Sequence, residues 1–242
     1  MKEIVQRRMY YLFSPWLRIF HWIMVDSIIV LFVTGFLISK PPMTLALEPS
    51  DTILLVNWVR DLHFLAAYAF GASFAFRIYG FIVNKGDRLF PRFWEGHFYR
   101  ELLDVGLHYS ILKAKHKSYL RNPMARVSYA FLYVLVAIEF LTGFAMYFMA
   151  NPDSIQAKMF SWVIVLLHGE YMVHLVHHYV AWFIILFASG HLYMVTRAEF
   201  MDAESEVSSM FSGSKMLEHI PVDVNEIDPE FGGNWRGRDR KK

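Results

Sequence analysis

The sequence contains no cysteine. Within this chain that excludes disulfides, thiolate nucleophiles, covalently attached c-type haem and cysteine-held iron–sulfur clusters. Any redox chemistry must therefore use non-covalent groups held by other side chains. Charge is also scarce, at 19% of 242 residues, against 55% hydrophobic and 17% aromatic content. That balance excludes an ordinary soluble domain and fits a small polytopic membrane protein with no nucleic-acid partner. The formal net charge of +2 decides nothing by itself. Its distribution along the chain does.

Four apolar stretches, at about 19–39, 59–83, 125–150 and 171–196, are each long enough to cross a hydrocarbon layer of about 30 Å. Residues 1–197 are thus read as an all-α, four-helix membrane bundle, and 198–242 as a polar tail, peripheral or disordered after about Gly213. The start of the chain carries Lys2, Arg7 and Arg8 without a small-residue cleavage pattern, and is read as a retained leader. Lys40-Pro41-Pro42 ends the first span, and a short loop runs from there through Trp58. Between the second and third spans, residues 84–124 are rich in Lys and Arg. There Phe98, Leu102, Val105, Tyr109 and Leu112 recur at helical spacing, which predicts an amphipathic helix along the membrane surface. The first and third loops have few Lys or Arg, so both termini are expected in the cytoplasm of a bacterium, with the chain in the inner membrane.

The most informative stretch is His174-Leu-Val-His177-His178-Tyr-Val-Ala-Trp182, continuing to Gly190-His191. Fourteen residues separate His177 from His191, which brings them to within about 40° of one helix face and roughly 21 Å apart along the axis. His178 and His174 fall roughly 140° and 100° away from His191, so His177 is favoured, with three histidines in five residues keeping the choice open. With the termini inside, His21 begins an outward-running helix, and His63 and His177 begin inward-running ones. Depth then pairs His63 with His177 near the outer surface and His21 with His191 near the inner. Two neutral imidazoles, one on each face of a porphyrin, saturate haem iron and leave an electron carrier. Zinc is disfavoured, because each level lacks a third or fourth ligand.

Other polar groups carry two readings each. Arg77, fourteen residues after His63, and Arg18, one turn before His21, suit a haem propionate or a quinone, or anchor the helix in the headgroups. Asp26 and Glu139 are intramembrane carboxylates, suited to proton uptake or to hydrogen bonding within the bundle. His168, His174 and His178 lie where they would orient ligands or meet a partner, and His97, His108, His116 and His219 read as solvated. One echo recurs: Val33-Thr34-Gly35-Phe36 near the end of span one and Leu141-Thr142-Gly143-Phe144 near the end of span three. Small residues at membrane helix contacts serve packing, and the echo is read that way first.

Arg18-Ile-Phe-His21-Trp22 followed by Thr34-Gly35-Phe36, Thr142-Gly143-Phe144-Ala-Met-Tyr147, Phe160-Ser-Trp162, and the histidine stretch through Phe187 and His191 together resemble the cytochrome b subunit of membrane-bound nickel-iron uptake hydrogenases. The likeness covers all four spans and the start of the tail; Asp26, Leu175 and Tyr179 depart from it. More distantly it extends to the gamma subunits of formate dehydrogenases. The resemblance implies two b haems on His21, His63, His177 and His191, with Arg18, Arg77, His174 and His178 as neighbouring contacts. It also implies partnership with the small iron–sulfur and large nickel-iron subunits on the periplasmic side, and electron delivery to menaquinone or ubiquinone. The subunit would itself lack hydrogenase activity, and quinone would be reduced on it. The rivals are a gamma-type subunit of another quinone-linked dehydrogenase, and a haem-free anchor or transporter whose histidines are structural.

Overall fold

The computed structural model describes residues 8–40, 49–83, 90–113, 117–202 and 204–223. Pro41-Pro42, His116 and the Gly232-Gly233 stretch of the tail lie outside the described residues. Along the chain run β1 (Arg8–Tyr11), α1 (Pro15–Ser39), α2 (Pro49–Val83), α3 (Gly96–Tyr109), α4 (Pro123–Phe148), α5 (Ile155–Leu166), α6 (Glu170–Phe200), α7 (Glu206–Ser212) and β2 (Ser214–Leu217). Among the described residues, α1, residues 56–83 of α2, α4 and α6 are long and apolar enough to cross a membrane. The 25 residues of α1 extend about 37 Å, more than the hydrocarbon layer. The protein is mostly helical and multi-pass.

The ends of these helices follow local chemistry. Ser14 and Asn122 cap α1 and α4, accepting from Leu17 N and Met124 N, and each is followed by proline at the first helical position. Ser154 does the same for Ala157 N of α5. The second long helix begins at Pro49, well before the expected boundary, so the loop predicted through Trp58 is helical from Pro49 on. Between α5 and α6 the chain turns through His168 (φ 62°) and Gly169 (φ 126°), with Gly169 N donating to Ile164 O at 2.9 Å. His168 is thus the left-handed residue that ends α5.

By its contacts the chain divides into two units, residues 11–88 with 209–214, and residues 1–10, 89–208 and 215–242. In the first, α1 and α2 lie antiparallel. Phe20 near the start of α1 stacks on Phe76 near the end of α2, with centroids 5.2 Å apart. Trp22 packs on Phe211 at 4.8 Å and donates to Met210 O at 3.3 Å, while the Arg18 guanidinium donates to Phe211 O. Gly213 (φ 83°) accepts from both Leu12 N and Phe13 N, and a Cβ there would stand 2.8 Å from Phe13 O. Only glycine fits.

In the second unit α4 packs against α3, α5 and α6. Ala145, Val163 and Val173 form its buried centre, and Phe160 of α5 sits against Phe144 and Phe148 of α4 at 5.4 and 5.9 Å. Helix α3 buries Phe98, Val105 and His108. Sequence reasoning placed His108 in solvent; it is 1% exposed, its Nδ1 bonded with Lys113 O and its Nε2 with Asp202 Oδ2, both at 3.1 Å. The partner Asp202 arrives because α6 runs on to Phe200.

Nor does the chain become peripheral at Gly213. Strand β2 pairs with β1, burying Lys215 and Leu217. Asp223 accepts from Leu120 N and Arg121 N at 2.8 Å. The Lys215 ammonium donates to Tyr119 O (2.9 Å), Glu204 (3.2 Å) and Glu206. Burial by itself would lower its pKa, but Glu206 and then Glu204 outweigh that and hold it above the ordinary lysine value. The sign follows: this stabilisation is complete below the ordinary lysine pKa and is lost only as pH climbs through the raised folded-state value. Lys215→Met strands two carboxylates and is expected to cost about 3 kcal/mol. A lower thermal midpoint of the detergent-solubilised protein at neutral pH, with the difference from the parent shrinking in strong alkali, would register it.

Candidate functional site

In the α1–α2 unit the imidazole of His63 lies against the last third of α1. Its Nδ1 is 2.8 Å from Thr34 Oγ1, and a Cβ on Gly35 would come within 3.4 Å of its Cε1. Thr34 is 3% exposed, and its hydroxyl reaches back to Val30 O at 2.7 Å. The ring lies against Gly35 at a distance a Cβ could also accept, and the threonine beside it supplies the polar partner.

The second unit repeats the arrangement with other helices. His177 of α6 places Nδ1 3.0 Å from Thr142 Oγ1 of α4, and a Cβ on Gly143 would stand 3.2 Å from its Cε1. That is closer than a Cβ normally packs, so the ring occupies space only glycine leaves free. Thr142 is 1% exposed and its hydroxyl reaches back to Ile138 O at 2.8 Å. On the other side of the ring, Glu139 Oε1 is 3.2 Å from Nε2, while Glu139 Oε2 is buried without a hydrogen bond.

The remaining predicted residues are distributed as follows. His21 meets Trp22 edge-on at 5.4 Å. His191 stacks on Phe187 with 2° between the planes at 6.0 Å, and Tyr129 of α4 is equally near. Along α6, His177 and His191 are about 21 Å apart. Arg77 is buried, 7% exposed, in its own unit, while Arg18 is engaged with the Phe211 carbonyl. His174 and His178 are exposed, and His178 accepts from Trp182 Nε1 at 3.2 Å. Asp26 is exposed on α1.

Among the described residues no three of His, Cys, Asp and Glu converge as ligands of a bare metal ion. Single imidazoles on separate helices are instead a donor set for haem, whose iron takes one axial nitrogen per face. The close seating of two rings on glycines fits that role, because each ring is fixed in orientation by its neighbouring span. Sequence reasoning missed Thr34 and Thr142. Their signal is the Thr-Gly-Phe echo, in which each glycine lies against an imidazole of the neighbouring helix.

The sequence pattern of the prokaryotic cytochrome b561 family matches residues 12–213. A protein of Cupriavidus necator named "Probable Ni/Fe-hydrogenase B-type cytochrome subunit" is 37% identical over 210 residues, 84% of this chain and 85% of the relative. One of the same name from Bradyrhizobium diazoefficiens is 34% identical over 89% of this chain and 90% of its own length. The hydrogenase 1 counterpart of Escherichia coli K12 is 28% identical over 84% of this chain and 89% of its own length.

Gly143→Leu is expected to force His177 off Thr142. Overpacking of this kind costs about 1–3 kcal/mol. The expected outcome is a lower thermal midpoint and weaker haem retention in the purified protein, with Gly190→Leu, where a Cβ meets nothing within 4 Å, as the tolerated control.

Proposed function

The chain belongs to the prokaryotic cytochrome b561 family, and from that premise we propose that it is the di-haem b subunit that carries electrons from a periplasmic nickel-iron hydrogenase to membrane quinone. What carries the reading is a pair of imidazoles, His63 and His177, each seated on a glycine of the neighbouring span, in a chain alike along most of its length to B-type cytochrome subunits. The relatives' names support the hydrogenase as partner.

On this reading His63 and His177 hold the haem nearer the periplasm, and His21 and His191 the haem nearer the cytoplasm. Haem b, when bound, supplies reversible one-electron chemistry at iron. The chain's own contribution is position: about 21 Å of α6 separates its two ligand histidines, a distance that spans most of the hydrocarbon layer. The absence of cysteine makes an external iron–sulfur donor necessary, and the hydrogenase small subunit provides one. Arg77, buried, is the candidate for a propionate or quinone carboxyl or carbonyl oxygen. Exposed His174 and His178 suit contact with the catalytic subunits.

The acceptor is menaquinone or ubiquinone, reduced near the cytoplasmic ligand pair with protons taken from inside. The chain lies in the inner membrane with both termini cytoplasmic, a side supported by the Lys and Arg of its second loop.

A reduced-minus-oxidised absorption spectrum with haem stoichiometry tests the proposal. Two b haems are expected in the parent, one in His63→Ala and the other one in His191→Ala. A colourless parent would overturn the electron-transfer role and return the chain to the class of haem-free anchors.

A further inference from the structure

We propose that Thr34 and Thr142 are positioning residues that fix the tautomer of His63 and His177 and tune the haem these histidines hold. The inference rests on the electron-carrier reading above. A threonine hydroxyl has one proton. In Thr34 that proton is directed to Val30 O at 2.7 Å, and in Thr142 to Ile138 O at 2.8 Å, each one turn back along its helix. The oxygen is then left to accept, and what faces it is imidazole Nδ1, at 2.8 Å for His63 and 3.0 Å for His177. The hydrogen is then assigned to each Nδ1 and the lone pair to each Nε2; in His177 that nitrogen faces Glu139 Oε1 at 3.2 Å, a carboxyl that would turn aside for an iron to be held there. An imidazole whose far nitrogen donates in this way is a stronger ligand, with its ring plane and tautomer fixed together.

Several features distinguish this from incidental polar packing. Both threonines are buried, at 3% and 1% exposure. Each stands immediately before the glycine that seats the same ring. The device occurs once in each of the two units, on unrelated stretches of sequence apart from the Thr-Gly-Phe echo. A span needing only small residues for packing would accept alanine or serine at these places equally well.

The sign of the effect is fixed. Donation from Nδ1–H into the hydroxyl raises imidazole basicity and favours ferric iron, so removing the acceptor favours ferrous iron and raises the midpoint potential. The test uses the full chain purified within its complex, comparing Thr34→Val, Thr142→Val and the corresponding Thr→Ser variants by spectroelectrochemical titration and low-temperature EPR of the ferric state. Each valine variant is expected to shift one of the two haems upward by roughly tenfold in ferric-over-ferrous preference, about 59 mV for a one-electron couple. Its EPR signal shifts with it, the other haem stays at the parent potential, and serine restores the parent value. Haem retained at the parent potential in both valine variants would overturn the proposal. Should valine expel the haem, retention at the parent potential in the serine variants supports the hydroxyl's role, and equal loss in serine overturns it. A parent without haem overturns the electron-carrier reading itself, an outcome separate from unmoved potentials in a parent that binds two.

Discussion

A hydrocarbon layer offers a side chain no water, so each polar group within a span needs a partner supplied by another span. That constraint organises this protein. An imidazole has two nitrogens of opposite character, and satisfying one of them decides what the other can do. Thr34 and Thr142 satisfy Nδ1 of His63 and His177 with hydroxyls that already bond their own helices. Gly143 leaves the His177 ring room that a Cβ would narrow to 3.2 Å, while His63 lies at ordinary contact distance from Gly35. Helix pairing and ring orientation are thus consequences of the same contact.

The opposite end of the second unit solves a different problem. Outside the spans, burial of Lys215 and His108 is supported by carboxylates from Glu204, Glu206 and Asp202, and Asp223 bonds two backbone amides of residues 120 and 121. The residues involved come from the second loop, the extension of α6 and the segment after α7. Ion pairing here does what apolar packing does between the spans, tying polar connections into one body that extends α6 beyond its apolar stretch.

Much of the fold is legible in the sequence, because membrane spans and the spacing of residues along one helix are local properties. Length and apolarity located all four spanning helices, and 3.6-residue periodicity singled out His177 over His174 and His178 as the companion of His191. His177 is the one of those three held by a neighbouring span, while His174 and His178 are exposed. What escaped was whatever depends on contacts far apart in the chain. His108 looks solvated beside Lys and Arg, and only the return of Asp202, 94 residues on, buries it. Lys215 sits in a stretch of tail composition, and its carboxylate partners are visible only once β2 pairs with β1. The start of α2 at Pro49 was hidden because hydropathy measures where a helix enters lipid, not where it begins.

The Thr-Gly echo is the instructive intermediate case. Its recurrence near the ends of spans one and three is apparent in the sequence, and small-residue packing is one physical reading of the glycines taken alone. The threonines change its meaning, since a residue chosen merely for size has no reason to carry a hydroxyl committed to its own helix and an oxygen aimed at a ring nitrogen in both units. A back-bonded threonine is a directional acceptor, and in an apolar span a directional acceptor beside a histidine determines which nitrogen keeps its proton. The pattern that a sequence shows as repetition is, in three dimensions, the same arrangement made twice: a back-bonded hydroxyl set against Nδ1 of a histidine on the neighbouring helix.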